Sequence, residues 1–306
     1  MADIVLQTDG LTKRYGGFTA LDRVSLILRQ GDIYGLVGRN GAGKTTFFKC
    51  VTGLAKPSGG TVAIHGERNN LNAARRNVGL MINPSFFPYL NPKENLEYLC
   101  RVKGIGDRGE VGRLLKLVEL DGVKKPFKAF SLGMKQRLGI AGALLGSPSA
   151  VVLDEPINGL DPQGIIDMRA VIKNVHAQSG TTFIISSHIL SELDLVATRF
   201  GFIGGGVLLK EITHSDLHEH TKKSLVIAVD DAARARTALE TAGFGGIAEN
   251  GNRLTLRSHT ERSNEVARVL MEGGVEVYDL HRQETTLEEY FMGLVGGGGD
   301  DRIHTR

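Results

Sequence analysis

The chain has 306 residues, 41% of them hydrophobic, and a formal net charge of +3, a composition typical of a globular protein. This length suffices for one large domain and a small one, and so small a charge does not indicate a nucleic-acid-binding surface. Two cysteines give no disulfide framework and are typical of a reducing cytosol. The N-terminus lacks a basic region before an apolar stretch, and no run of about 18 apolar residues occurs, so we expect neither signal peptide nor membrane span.

The first 82 residues have the pattern of a strand-rich region. Apolar residues alternate over 3–30, which predicts antiparallel strands. Their expected inward-facing residues are Ile4, Leu6, Ala20, Val24, Leu26 and Leu28. Further strands are predicted over 33–37, 61–64 and 78–82, with one helix over 45–52.

A glycine-rich loop connects the strand over 33–37 to that helix. Residues 38–45 read GRNGAGKT and match the eight-residue phosphate loop in full, which makes a chance glycine turn a poor alternative. The glycines let backbone N–H groups point at phosphate oxygens, and the helix adds its positive N-terminus. We expect Lys44 to bridge the outer phosphates and Thr45 to bind magnesium. The predicted nucleotide-binding residues are Tyr15, Gly38, Asn40, Gly41, Ala42, Gly43, Lys44, Thr45 and Thr46.

Tyr15 precedes this loop and is flanked by basic residues and by two glycines. An aromatic ring at this place can stack on an adenine base. The alternative is an ordinary tyrosine of a strand or turn.

Residues 91–145 change to a helical pattern, which predicts a helical insertion over about 88–147. Its last helix begins after Ser131, a favoured N-cap residue, and Gly133 lies in its first turn. Such a helix start directs its positive end at an anion, for example a terminal phosphate. Taken alone, without the other motifs, the segment is better interpreted as an ordinary capped helix.

Two acids follow an apolar strand predicted over 151–153, and a helix over 165–176 separates this strand from the next one, over 182–186. Both strands have the continuous apolar character of a parallel sheet. We expect Asp154 to lie on the magnesium side and Glu155 to act as general base toward water. The alternative is a solvated strand end, which is less common for two successive acids.

His188 follows the strand over 182–186 by two residues. A lone histidine is more often structural than catalytic. The neighbouring strand that ends in the acid pair, however, favours a histidine within reach of the γ-phosphate.

A hairpin is predicted over 200–209, and the composition changes near 214–223. The following pattern is that of a small α+β domain, with strands over 225–229 and 275–280, a hairpin over 247–256 and helices over 232–242 and 260–271. A closing amphipathic helix is predicted over 286–295. The predicted domains are 1–218 and 219–295, and a tail over 296–306 is expected to be disordered.

Taken in order, Tyr15, the phosphate loop, the segment 131–136, the acid pair, the segment 158–161 and His188 resemble the ABC-transporter ATPase family over about residues 3–215. The resemblance implies an α/β fold with a RecA-like P-loop NTPase core, an antiparallel β-subdomain and the helical insertion. It also implies a head-to-tail dimer around two nucleotides. Ser131 and Gly133 would then contact the partner's ATP, and Asp161 would lie along the dimer interface.

The signature segment over 130–134 reads FSLGM where the family usually has LSGGQ, so the serine and the second glycine remain. This form resembles a subgroup that serves ABC-2-type membrane subunits and includes bacitracin and lantibiotic efflux ATPases.

The loop after residue 82 lacks the family's usual glutamine. Asn83 is the nearest replacement as a metal ligand, and a structural turn before Pro84 is the alternative.

Four apolar residues follow that loop, namely Phe86, Phe87, Tyr89 and Leu90. Clustered aromatic residues usually belong to a core. In the resembling family the adjacent groove receives a short helix of the membrane subunit, so docking and core roles both remain open.

The resulting prediction is a bacterial ATPase subunit, with ATP and Mg²⁺ as cofactors, at the cytoplasmic face of the cell membrane. Its expected partners are a second copy of the chain and an ABC-2-type membrane permease, with no nucleic acid. We expect it to power export of a drug, an antibiotic peptide or a lipid-like cargo. The alternative is a soluble ABC ATPase acting on ribosomes or nucleic acid.

Overall fold

A computed structural model of the chain describes residues 3–106, 108–220, 224–256, 258, 260–283 and 286–296. All but the first residue of the predicted tail, 296–306, lies outside these ranges. The described residues divide into a large unit up to His214, to which Leu294 also belongs, and a small unit over Ser215–Gly293. Within the described ranges, no helix is both long and apolar enough to cross a membrane.

The large unit contains nine strands and the first seven helices among its described residues. Its strands are β1 (Ile4–Tyr15), β2 (Phe18–Arg29), β3 (Ile33–Val37), β4 (Gly59–Ile64), β5 (Val78–Met81), β6 (Ala150–Asp154), β7 (Thr182–Ser187), β8 (Arg199–Gly204) and β9 (Val207–Thr213). Its helices are α1 (Lys44–Thr52), α2 (Leu71–Ala74), α3 (Pro92–Lys103), α4 (Arg108–Leu117), α5 (Leu132–Leu144), α6 (Pro162–Ser179) and α7 (Leu190–Asp194). Helix α8 (His214–His220) follows β9 directly.

An antiparallel sheet is formed in the order β2-β1-β4. Its inward-facing residues agree with the alternation in the sequence except at Ile4, which is 36% exposed while Val5 is buried. The expectation for Ile4 was wrong because the pairing of β1 with β2 shifts register between Ile4 and Leu6. A bulge of this kind adds one residue to a strand and reverses the direction of the side chains before it.

The central sheet has the order β5-β6-β7-β3-β8-β9. Its neighbouring strands are parallel from β5 to β8, and β9 pairs antiparallel with β8. Every residue of β3 and of β7 is buried, as expected for strands covered on both faces. The carboxyl ends of β3, β6 and β7 meet at one edge, which is where ligands bind in such sheets. The phosphate loop, the acid pair and His188 follow these three strands.

The helical insertion consists of α3, α4 and α5, between β5 and β6. Helix α3 begins with a capping box, in which Asn91 and Glu94 each accept the other's backbone N–H. Helix α6 begins at Pro162, three residues earlier than predicted. The periodicity was misleading here because Asp161 caps the helix through Gly164 N and Pro162 occupies its first turn.

The small unit contains a four-stranded antiparallel sheet in the order β11-β12-β10-β13. Its elements are β10 (Ser224–Val229), α9 (Ala232–Thr241), β11 (Ile247–Asn250), β12 (Arg253–Leu256), α10 (Ser263–Glu272) and β13 (Val277–Gln283), followed by α11 (Leu287–Gly296). Buried residues of the strands and of both helices form one core, which includes Leu225, Leu239, Leu254 and Leu270.

Two predicted elements of this unit are shifted. The helix expected from residue 260 starts at Ser263, because residues 260–262 form a single 3₁₀ turn. The strand expected over 275–280 starts at Val277 and ends at Gln283. Gly274 makes the preceding turn with a left-handed φ of 66°, and Val275 is buried in the core before pairing with β10 begins.

Candidate functional site

The phosphate loop needs glycine at two of its positions for steric reasons. Gly43, which caps α1, has a φ of 109°, and a Cβ there would lie 2.7 Å from the carbonyl oxygen of Ala20. A Cβ on Gly38 would lie 2.5 Å from the carbonyl oxygen of Ile203. Side chains are therefore excluded where the loop leaves β3 and where it enters α1, and the backbone curls tightly between these points.

Lys44, the first residue of α1, is folded back over this loop. Its side-chain Nζ donates to the carbonyl oxygen of Gly38 at 2.6 Å and lies 3.0 Å from Oε1 of Glu155. Only 5% of this residue is exposed. A buried ammonium group that is held by the loop backbone is a fixed positive charge suited to phosphate oxygens.

Thr45 and Asp154 are joined by a hydrogen bond at the end of β6. The Thr45 hydroxyl donates to Oδ2 of Asp154 at 2.7 Å, and the Ser186 hydroxyl donates to Oδ1 at 2.6 Å. The carboxylate is therefore oriented by hydrogen bonds from two elements. A hydroxyl and a carboxylate beside a phosphate site are the hard oxygen donors that Mg²⁺ prefers, so these residues fit that ion.

Glu155 has a left-handed φ of 49°, which is uncommon for a residue with a side chain. Its backbone N–H donates to the Ser186 hydroxyl at 2.9 Å. One of its carboxylate oxygens pairs with Lys44, and the other lies 2.9 Å from Nδ1 of His188. The strained backbone is held by its neighbours and places the carboxylate between a cation and a histidine.

The structure thus brings five of the predicted site residues into one hydrogen-bonded cluster: Lys44, Thr45, Asp154, Glu155 and His188. Sequence reasoning missed Ser186, which contacts both acids. The sequence shows only a polar residue at the end of a strand predicted to be buried, which indicates a hydroxyl with a partner but does not identify that partner. A buried hydroxyl normally has a hydrogen-bond partner, and the acids of the adjacent parallel strand are natural candidates.

Tyr15 lies at the tip of the hairpin between β1 and β2, paired in register with Phe18. It is 49% exposed. The Nζ atom of Lys13 lies 4.6 Å from the centre of the Tyr15 ring and also donates to the carbonyl oxygen of Lys56 at 2.9 Å. The ring is therefore held by a cation while much of its surface remains accessible.

Asn83 is exposed and has a left-handed φ of 46°. It follows Met81, which pairs with Leu153 in the parallel register of β5 and β6. Asn83 and Glu155 therefore leave the same edge of the sheet, each two residues beyond a paired position. Among the described residues, no hydrogen bond joins Asn83 to the acid pair.

Ser131, Gly133 and Asp161 lie in a separate groove. Ser131 caps α5 by accepting the N–H of Met134 at 3.3 Å, and Asp161 caps α6. The groove is lined by residues 131–134, Arg137, 159–161, Gln163, Gly164 and Asp167. Lys44, Glu155 and His188 are not among its lining residues, so the predicted site residues fall into two groups.

The aromatic residues after β5 divide between half-buried and exposed positions. Phe86 packs edge-on against Phe127, with the ring centres 5.3 Å apart. Phe87 and Tyr98 are exposed and pack together at 4.7 Å, and Tyr89 is also exposed. Part of the cluster therefore stabilises the helical insertion and part forms an accessible apolar surface.

Comparison with known proteins identifies the family and the relatives that this chain resembles. The family model described as ABC transporter matches residues 21–158. The chain is 37% identical to the bacitracin transport ATP-binding protein BcrA of Enterococcus faecalis, and the alignment covers 97% of this chain and 98% of that protein. It is 38% identical to the lantibiotic transport ATP-binding protein SrtF of Streptococcus pyogenes, over 68% of this chain and 90% of SrtF.

Solved structures show the same fold. An ATP-binding subunit of an ABC transporter is 26% identical, with a TM-score of 0.62, over 71% of this chain and 92% of the other. A dimeric bacterial ABC transporter cassette, MJ0796, is 25% identical with a TM-score of 0.62, over 68% of this chain and 98% of the cassette. The predicted α/β fold with a P-loop NTPase core is therefore confirmed.

Proposed function

Since the chain belongs to the family of ABC transporter ATP-binding proteins, and is an ATPase subunit that powers a separate membrane subunit, we propose that it drives export of a drug or an antibiotic peptide. The ATP hydrolysis on which the proposal depends is supported by the placement of Glu155 between Lys44 and His188 at the edge of the parallel sheet. The relatives named for bacitracin and lantibiotic transport support the cargo class.

ATP binding follows from the charges and dipoles of the loop. We expect backbone N–H groups of the loop and the N-terminus of α1 to meet the phosphates, with Lys44 as the fixed cation. Thr45 and Asp154 would hold Mg²⁺, and the bound ion would neutralise phosphate charge. Tyr15 stacks on adenine with the ring surface that Lys13 leaves accessible.

Hydrolysis requires a base for the attacking water and a donor for the γ-phosphate. Glu155 provides the base, since its carboxylate is fixed at the sheet edge next to the loop. Once phosphates engage Lys44, the ion pair between Lys44 and Glu155 is weakened, and this carboxylate is released toward water. His188 orients the carboxylate and donates to the γ-phosphate.

A second copy of the chain completes the site. Ser131 and Gly133 lie in a groove apart from the catalytic cluster, with the Ser131 end of α5 accessible. In a head-to-tail dimer this helix end meets the γ-phosphate held by the partner's loop, and Asp161 lies at the interface. The similarity to a dimeric cassette of the family supports this arrangement.

The membrane partner is an ABC-2-type permease at the cytoplasmic face of a bacterial membrane. Its docking site on this chain is the α3 apolar surface, defined by Phe87, Tyr98 and Val102. Phe87 and Tyr98 are in ring contact, Val102 lies one helical turn beyond Tyr98, and all three are exposed. Exposed apolar residues in one patch are typical of an interaction site.

Co-purification of the tagged chain from its own membranes tests the proposal. A polytopic membrane protein should be retained, and Phe87→Ser should release it while the ATPase rate of the isolated chain stays unchanged. Lys93→Ser, an exposed substitution in the first turn of the adjacent helix α3, is the control. Retention of ribosomes or DNA instead of a membrane protein would favour the alternative of a soluble ABC ATPase.

A further inference from the structure

The Arg137 side chain connects helix α5 to helix α6 and to the turn after α4. It lies in the second turn of α5, the helix that begins beside Ser131. Its Nη1 donates to Oε2 of Glu119, just after α4, at 2.7 Å, and its Nη2 donates to Oδ2 of Asp167, on α6, at 2.8 Å. The side chain is only 15% exposed.

The carboxylate of Asp167 is also held from within α6, because Nε2 of Gln163 donates to its Oδ1 at 2.7 Å. Exposed ion pairs contribute little to stability in general. The Arg137 guanidinium is largely buried and donates to two carboxylates. Because it is planar, it fixes the orientation of these carboxylates as well as their distance. Losing the guanidinium would leave Asp167 without its charged partner in a partly enclosed place.

Apolar contacts lie beside this polar connection. A Cβ on Gly133 would lie 3.7 Å from Cδ2 of Leu160, and one on Gly159 would lie 3.2 Å from Cδ2 of Leu132. The signature turn and the loop before α6 therefore pack directly on each other. Arg137 is the charged connection one turn further along the same pair of helices.

The loop before α6 leads back to the catalytic base. The N–H of Asn158 donates to the carbonyl oxygen of Glu155 at 3.2 Å, and the N–H of Leu160 donates to that of Ile157 at 3.3 Å. These turns make the segment from Glu155 to Asp161 short and internally bonded. One chain thus contains a continuous path from its own Glu155 to the Ser131 that serves the partner's nucleotide.

We propose that Arg137 is a positioning residue that joins the signature turn and the loop over 158–161 into one block. Contact of Ser131 with the partner's ATP then sets the position of this chain's own Glu155, and the two sites of a dimer become cooperative. The proposal rests on the two-chain site proposed above. It assigns Arg137 no contact with ATP.

The test compares Arg137→Gln, Arg137→Lys and Asp167→Asn in the full chain. Arg113→Gln is the matched control, since Arg113 is an exposed arginine of the same helical insertion that also lies near an acid, Glu110. The readouts are the ATP dependence of hydrolysis, the Kd of a fluorescent ATP analogue for the single chain, and the melting temperature.

For Arg137→Gln we expect kcat to fall about tenfold and the Hill coefficient to drop from about 2 to about 1. The Kd of the analogue should stay within about twofold, which a general loss of structure would not allow. Arg137→Lys keeps the positive charge but not the planar guanidinium that bonds two carboxylates, so kcat and the Hill coefficient should fall to intermediate values. Arg137→Gln combined with Asp167→Asn should be no worse than Arg137→Gln alone, since both break one connection.

Two outcomes separate this proposal from the one on which it rests. Hydrolysis by a monomer, with a Hill coefficient of about 1 in the unsubstituted chain, overturns the two-chain site and the role of Arg137 with it. A cooperative dimer that keeps its cooperativity after Arg137→Gln overturns the role of Arg137 alone. Strictly additive effects of the Arg137 and Asp167 substitutions contradict it as well.

Discussion

The catalytic cluster and the signature groove differ in how their polar groups are satisfied. In the cluster, each of Asp154 and Glu155 has two side-chain partners from other elements, and Lys44 is buried. At the signature end of the groove, the Ser131 side chain is exposed, and among the described residues it accepts one hydrogen bond, which caps its own helix. The first region is assembled within one chain, whereas the second presents its functional end outward.

The contrast indicates a division of labour. A cluster that is complete in one chain should bind nucleotide in that chain without help. A groove whose functional end faces outward should matter only when another molecule approaches. Substitutions in the catalytic cluster should therefore affect nucleotide binding or hydrolysis in each chain. Substitutions in the signature groove should affect only the steps that need two chains.

The largest effect is expected for Lys44→Ala. Because the buried ammonium is the fixed cation of the loop, its loss should weaken ATP binding by about 100-fold or more. Lys49→Ala, an exposed substitution on the same helix, should leave the affinity unchanged. Equilibrium binding of a fluorescent ATP analogue measures both, and an unaltered affinity of Lys44→Ala would refute the phosphate-loop assignment.

Glu155→Gln should lower the rate of hydrolysis by at least about 100-fold, because the amide is not a base toward water. ATP affinity should remain, since the phosphate contacts belong to the loop. The variant should accumulate as a dimer with ATP and Mg²⁺, as seen by light scattering. Glu97→Gln, on the exposed face of α3, is the control, and a monomeric Glu155→Gln would contradict the two-chain site.

Ser131→Ala is the corresponding test of the groove. We expect hydrolysis to fall by about 10- to 30-fold while the single chain binds the ATP analogue as before. Loss of the helix cap costs about 1 kcal/mol, so the melting temperature must be recorded alongside. Ser131→Thr keeps the cap and the hydroxyl and should retain most activity. Weaker binding of the analogue by isolated Ser131→Ala chains would remove the distinction between the two regions.

Tyr15→Ala should weaken ATP binding by about fivefold, since one stacking surface is lost, whereas Tyr15→Phe should bind like the original chain. Inorganic tripolyphosphate, which has no base, serves as the comparison ligand. Its affinity should be the same for all three proteins. A parallel loss for tripolyphosphate would show that Tyr15 acts through the phosphate loop and not through the base.

The smallest effect is expected at Asn83. If its carbonyl oxygen assists the metal, Asn83→Ala should raise the Mg²⁺ concentration needed for half-maximal hydrolysis by about two- to threefold. Asn77→Ala, at the other end of β5, is the control. If Asn83→Ala has the same Mg²⁺ dependence as the unsubstituted chain, Asn83 has only a structural role in the turn before Pro84.

The spacing of apolar residues in the sequence was sufficient to predict the strands of the central sheet, because these strands are continuously apolar. The loops that follow them contain specific motifs, such as the phosphate loop. The spacing of apolar residues gave a wrong prediction where one residue changes the local geometry. Examples are the bulge beside Ile4 and the cap that starts α6 at Pro162. Contacts between distant segments were invisible to this spacing. Ser186 and Arg137 act through carboxylates 32 and 30 positions away, which no spacing rule specifies.

The most direct test of the two-region account is a disulfide formed between chains. Asn40 of the phosphate loop and Ser131 of the groove are both exposed, and cysteines at both positions should be joined across the dimer when ATP is present. The native Cys50 and Cys100 are buried, and burial raises the pKa of the Cys50 thiol, so both should react slowly.

The measurement is non-reducing electrophoresis of Asn40→Cys/Ser131→Cys in the Glu155→Gln background, oxidised with and without ATP and Mg²⁺. The account predicts a cross-linked dimer that forms only with nucleotide and is absent from either single-cysteine protein. A cross-link within one chain, or equal cross-linking without ATP, would contradict the claim that the groove of one chain completes the nucleotide site of another.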